Sequence, residues 1–120
     1  MNYSALIDAL IIVESGGRAD AVGDNGKAFG ILQIWSVVVQ DVNKVFGTNF
    51  RHQDAFNPTK AKQICRRYLS IYAIKSRIGD MDPYEASARI WNGGPNGHRK
   101  NATLGYWAKV KRQLKLSPTK

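Results

Sequence analysis

Apolar residues return every three or four positions over five stretches of this chain, and each stretch carries residues that start or stop helices. In residues 2–15, Ala5, Leu6, Ala9, Leu10, Ile12 and Val13 share one face, Asn2 or Ser4 can cap the start, and Gly16 and Gly17 suit the end. Residues 36–46 are rich in valine, whose branching suits a strand, yet Val38, Val42, Val45 and Phe46 repeat at helical spacing. With Ser36 as cap and Gly47 as stop, this stretch predicts a second helix. The third opens on Asn57-Pro58, a cap followed by proline at the first helical position. Its apolar face runs through Ala61, Ile64, Cys65, Tyr68, Leu69, Tyr72 and Ala73, about five turns. Asp82-Pro83-Tyr84-Glu85 repeats the signal with a glutamate at the third position and leads towards Trp91, and Thr103 can cap a last helix reaching Leu116. Residues 117–120 are expected to fray. No alternating strand pattern and no hairpin signal stands out, so the expectation is a mainly α fold of five or six helices.

Between the first two helices the chain is polar and glycine-rich. Gly16, Gly17, Gly23 and Gly26 are interleaved with Asp20, Asp24 and Asn25, which supply turn chemistry. This loop is expected to fold back over a cleft, where a second acid can sit.

Composition narrows the partners. The chain has 120 residues, enough for one domain with a single core, and residues 1–120 are read as one unit without a separate binding domain. Eighteen Lys and Arg against nine Asp and Glu give a formal charge of +9, a field that favours polyanions without choosing among nucleic acid, anionic lipid and cell-wall polymers. The single cysteine, Cys65, excludes an internal disulfide, and His52 and His98 form no zinc spacing with it. Neither metal, redox nor other cofactor chemistry is expected. Cys65 sits in an apolar helical pattern and reads as a buried, inert thiol.

Glu14 is the one acid placed to do chemistry. It follows Leu10 by four positions and Ile7 by seven, at the edge of the apolar face, and lies in the last turn of its helix, where unpaired carbonyls disfavour a negative charge. Partial burial and the helix end both raise a carboxyl pKa, as a general acid near neutral pH requires. Taken alone, such a glutamate is more often an exposed residue at a helix end.

The residues that follow change that balance. Glu14-Ser15, Phe29-Gly30-Ile31-Leu32-Gln33, Ile90-Trp91-Asn92-Gly93-Gly94 and Gly105-Tyr106-Trp107-Ala108 resemble, in order and spacing, the motifs of the lytic transglycosylases and goose-type lysozymes, which cleave the glycan strands of bacterial peptidoglycan. The resemblance spans roughly residues 5 to 110 and implies a lysozyme-like fold. By it, Glu14 is the catalytic acid, Ser15, Gly30 and Gln33 line the cleft, and Asn92 belongs to the opposite wall. In the transglycosylases one glutamate serves as acid and then base while the muramic sugar's own hydroxyl closes an anhydro ring. In the goose-type enzymes acidic residues position a water, and Asp24 matches the first of these. The second is absent, Ile34-Trp35 standing in its place, which leaves the hydrolytic route open. Asp24 reads equally as a turn residue satisfying its own loop. Trp91 reads as packing, whereas Trp35 and Tyr106 are each open to packing or to contact with a sugar.

Lys109, Lys111, Arg112 and Lys115 mark the last helix as basic: a solvated face, or a binding surface for anionic wall polymer or outer-membrane lipid. Residues 1–13 lack the basic start of a signal peptide and Asp8 interrupts their apolar run, so they read as part of the folded domain. No stretch approaches the length of a membrane span. A protein made in a host cytoplasm and released to the wall, as a phage or prophage endolysin is, is what the resemblance then implies, acting as a monomer. The competing reading is a non-enzymatic basic binder of wall or nucleic acid. It rests on charge alone, because no recognition helix, RNA-binding aromatic motif or zinc finger is evident.

Overall fold

The first helix, α1 (Tyr3–Ser15), starts where the Asn2 side chain accepts a hydrogen bond from the Ala5 N–H, and it ends where Gly16 turns into the left-handed region and returns its own N–H to the Ile11 and Ile12 carbonyls. Both ends therefore use the residues the sequence offered. In this computed structural model, which describes residues 1–116, the fraying expected for residues 117–120 lies outside the described residues. Leu6, Ile7, Ala9 and Leu10 are buried, but Ile12 is exposed, so the core face is narrower than the apolar pattern suggested.

A short antiparallel hairpin follows: β1 (Val22–Gly23) pairs with β2 (Ala28–Phe29) in the register Val22 to Phe29 and Gly23 to Ala28. The expectation of no hairpin is thus corrected. Two-residue strands cannot display alternation, and the usable signal was the turn itself, because Asp24, Asn25 and Gly26 all take positive φ, the conformation that Asp, Asn and Gly tolerate best. Phe29 and Ile34 then exchange backbone hydrogen bonds around a tight turn through Gly30 to Gln33.

Helix α2 (Ser36–Phe46) has the predicted bounds and stops at Gly47, yet Ser36 is not its cap: Trp35 occupies that place without a side-chain bond. Its buried residues are Val39 and Val42, whereas Val45 and Phe46 are exposed. The helix is rotated from the predicted face because it packs mainly on one neighbour, α3 (Pro58–Tyr72), whose Arg67 guanidinium covers the Phe46 and Phe50 rings. Asn57 caps α3 as predicted, and the 15 residues of the helix run against α1, α2 and α5 (Pro83–Gly93).

Between α3 and α5 stands a one-turn helix, α4 (Lys75–Ile78), too short to announce itself by periodicity. Asp82 caps α5 by accepting from the Glu85 N–H, but the Glu85 carboxylate turns to Arg89 instead of completing the capping box. Two short 3-10 turns lead to α6 (Leu104–Leu116), which lies against α1 and α5. Thr103 does not act as its cap. Its buried hydroxyl accepts from Arg89 and faces the Gly97 and Lys100 carbonyls. Among the described residues the fold is mainly α with six helices, and one hydrophobic cluster joins α1, α2, α3, α5 and α6. A radius of gyration of 13.4 Å is that of a single small globule.

Candidate active site

Three segments meet at the C-terminal end of α1. The hairpin turn contributes Asp24, the turn before α2 contributes Gln33 and Trp35, and α5 contributes Trp91 and Asn92; with Glu14 and Val38 they line a pocket of about 100 Å³. The candidates Glu14, Asp24, Gln33, Trp35 and Asn92, separated by up to 78 positions in the chain, are thereby brought together. Val38, one turn beyond Trp35, was not foreseen. Trp91 serves both the pocket and the core, where it packs edge-on against Tyr68 at 5.6 Å.

Glu14 is largely withdrawn from solvent and its Oε2 accepts a hydrogen bond of 2.8 Å from the Tyr106 hydroxyl on α6. Burial pushes its pKa up to about 7, the negative charge of Asp24 adds to the rise, and the Tyr106 hydrogen bond opposes it. The carboxyl group can therefore hold a proton near neutral pH and release it to a neighbour. Tyr106 is itself held well above the usual phenol range, first by burial and then by the charge of Glu14, so it stays a donor. Its hydroxyl lies against the Glu14 carboxylate, and Tyr106 is not among the residues that line the pocket.

Gln33 adopts φ 52°, an uncommon conformation for a side chain of its size. Its amide nitrogen helps fix that conformation by donating to the Gly30 carbonyl at 3.0 Å and the Ala21 carbonyl at 3.3 Å. The amide oxygen lies against Gly23, where any side chain would displace it. Gln33 thus keeps one polar atom uncommitted to its own turn.

Two expected cleft residues have other work. The Ser15 hydroxyl donates to the Ile31 carbonyl at 2.8 Å and accepts from the Gly17 and Arg18 N–H groups, so its capacity is spent tying the end of α1 to the turn that carries Gln33. Gly30 is buried with φ 79°, and a methyl group there would collide with the Ala55 carbonyl, so its freedom serves packing against the 3-10 turn at His52–Phe56 rather than approach to a ligand. That same 3-10 turn braces the site from behind. His52 stacks on Phe29 at 3.8 Å and its Nε2 lies 2.7 Å from the Ile34 carbonyl.

Trp35 is committed at its edge. Its indole N–H donates to Asp24 Oδ2 at 3.1 Å, and the Lys27 ammonium lies 5.5 Å above its ring. The indole remains 40% exposed.

A largely buried glutamate flanked by polar groups from three segments, in a small helical domain, is the arrangement of the lysozyme-like glycan-cleaving enzymes. Residues 1–113 match the Transglycosylase SLT domain family. The chain belongs to that family and is a peptidoglycan lytic enzyme. It is 36% identical over 112 residues to a lysozyme of Magallana gigas, an alignment that covers 92% of this chain and 79% of that protein. Among the described residues no helix is long and apolar enough to cross a membrane.

Proposed function

We propose that the chain cleaves the β-linked MurNAc–GlcNAc strand of peptidoglycan with Glu14 as general acid. The observation that carries this reading is a carboxyl group at the floor of the cleft, hydrogen-bonded to Tyr106, whose pKa stands at about 7. Protonated Glu14 gives its proton to the glycosidic oxygen as the bond to the muramic C1 breaks, and an oxocarbenium-like centre develops there. Gln33 and Asn92 line the same pocket, and in this reading their amides hold an N-acetyl substituent while this happens.

Two fates of that centre fit the site. In the first, the muramic sugar's own hydroxyl attacks C1 and passes its proton to the Glu14 carboxylate, leaving an anhydro end. In the second, water attacks with its proton taken by Asp24, leaving a reducing end and a Glu14 that must be reprotonated from solvent. The presence of Asp24 in the same pocket supports the second route, and the lack of a partner acid at Trp35 supports the first.

Glu14→Gln is expected to leave the fold intact and abolish turbidity loss of purified cell walls; retained activity would reject Glu14 as the acid. Mass spectrometry of the released muropeptides separates the two routes, because anhydro ends are lighter by one water.

The reading extends to wall attachment and bacteriolysis. Lys109, Lys111, Arg112 and Lys115 are exposed along α6 and form a basic surface suited to anionic wall polymer or outer-membrane lipid. Their replacement by glutamine should weaken binding to intact walls in low salt, and unchanged binding would exclude that role. An endolysin role predicts lysis of cells when the protein is supplied from within together with a membrane-permeabilising agent.

A further inference from the structure

Trp35 stands at the lip of the pocket with an apolar ring, which suggests a platform for a sugar. Its contacts describe something else. The indole N–H is directed to Asp24 Oδ2, the Lys27 ammonium lies over the ring, and both partners belong to the hairpin turn that Trp35 faces across the pocket. That turn needs an anchor. Asp24 and Asn25 have φ of 50° and 57°, and within the turn the backbone bonds run from Gly26 and Lys27 to the Gly23 carbonyl, at 3.1 Å each, and from Lys27 to the Asp24 carbonyl at 3.3 Å. Asp24 is exposed, and a carboxylate on a free turn would sample many positions.

We propose that Trp35 is a positioning residue that holds the Asp24 carboxylate over the cleft opposite Glu14. Binding one oxygen to an indole N–H restricts the rotation of the carboxylate and leaves Oδ1 as the oxygen without a protein donor among the described residues. The indole itself is held. It sits at the cap position of α2, directly after Ile34, whose backbone is paired with Phe29 and whose carbonyl meets His52. Lys27 covers one face of the ring, so the turn and the indole form one clamp. A single aspartate held by a neutral donor thus does the work for which two acids would otherwise share a water. This inference rests on the reading of Glu14 as the acid.

The experiment compares Trp35→Phe, Asp24→Asn and the double variant with the wild type on solubilised glycan strands across pH. Trp35→Phe keeps an aromatic face and removes the N–H together with the pyrrole part of the indole. Because the charge of Asp24 raises the Glu14 pKa, a carboxylate that swings away lets that pKa fall, and the alkaline limb of kcat/KM should move to lower pH in both single variants. A fall in kcat of about tenfold with KM nearly unchanged is expected for Trp35→Phe, the cost of a misplaced group rather than of lost binding. The double variant should be no worse than Asp24→Asn, since the indole acts only through the aspartate. In spectra of protein labelled at the tryptophan indole nitrogens, the Trp35 N–H signal should be displaced downfield by its acceptor in the wild type and should move in Asp24→Asn.

A raised KM with kcat and the limb unmoved would overturn the proposal in favour of sugar stacking, and losses that multiply in the double variant would overturn it equally. An Asp24→Asn enzyme identical to the wild type would remove the proposal while leaving Glu14 as the acid. An active Glu14→Gln would instead remove the reading on which it rests.

Discussion

Tyr106 on α6 donates a 2.8 Å hydrogen bond to Oε2 of Glu14 on α1, joining residues 92 positions apart across the interface between the first and last helices. The bond works against the burial that raises the Glu14 pKa, because it favours the ionised carboxylate. The acid is therefore tuned by two opposed influences from the same wall. Tyr106→Phe removes the donor and keeps the ring, so the Glu14 pKa should rise above its present value near 7 and the alkaline limb of kcat/KM should move to higher pH. A limb that stays in place would show that the hydroxyl does not reach the acid in solution.

The same burial makes Glu14 costly to the fold at alkaline pH. Its pKa rises from 4.5 to about 7 in the folded chain, so its contribution to stability is fully present below 4.5 and is lost as pH rises through 7. A shift of that size corresponds to a penalty of at most about 3 kcal/mol. Glu14→Gln, whose amide oxygen can still accept from Tyr106, should unfold at a higher urea concentration than the wild type at pH 8, and the advantage should vanish near pH 4.5. An advantage independent of pH would mean that packing, not charge, separates the two proteins.

How far the sequence disclosed this site follows from the range of each interaction. Helix starts and stops are local, and Asn2, Asn57, Asp82, Gly16 and Gly47 all act at the helix ends where they were expected. Which face of α2 is buried depends on what lies against it, and Val45 and Phe46 turned outward because α3 meets the Val39 and Val42 side. Glu14 was legible from its place on an amphipathic helix together with the motif match. The commitment of Ser15 to the Ile31 carbonyl, of Thr103 to Arg89, and of Trp35 to Asp24 was not, because each joins segments whose approach only the fold determines. Gly30 was expected to line the cleft, but it is buried against the Ala55 carbonyl of the protein's own backbone, where a side chain would collide.

Gly30 offers a clean test of that assignment. Alanine there meets both a positive φ and the Ala55 carbonyl, so Gly30→Ala should cost roughly 3 kcal/mol or more. At Gly16 the φ is also positive but the space is open, and Gly16→Ala should cost only about 1 kcal/mol. Urea unfolding of the two variants measures the difference. Equal losses would mean that the backbone at Gly30 relaxes away from Ala55.

Arg89 ties the wall of the cleft to the helix that carries Tyr106. It is buried, and its guanidinium donates to Glu85 Oε2 at 2.6 Å, to Thr103 Oγ1 at 2.9 Å and to the Lys100 carbonyl at 3.0 Å, so α5 and the segment entering α6 share one ion. Asn92 stands three residues beyond Arg89 and Tyr106 three beyond Thr103, so both ends of the network reach the site within a turn. Removing the ion with Arg89→Met leaves the Glu85 carboxylate, the Thr103 hydroxyl and the Lys100 carbonyl without their donor and should cost about 3–5 kcal/mol. Thr103→Val, which keeps the shape and removes the hydroxyl, should cost about 1–3 kcal/mol. If the network also positions Tyr106, Thr103→Val should move the alkaline limb of kcat/KM in the same direction as Tyr106→Phe and by less, measured at a temperature where the variant is fully folded. Lower stability with an unmoved limb would confine Arg89 and Thr103 to holding the fold, and Tyr106 would then owe its place to the packing of α6 on α1 alone.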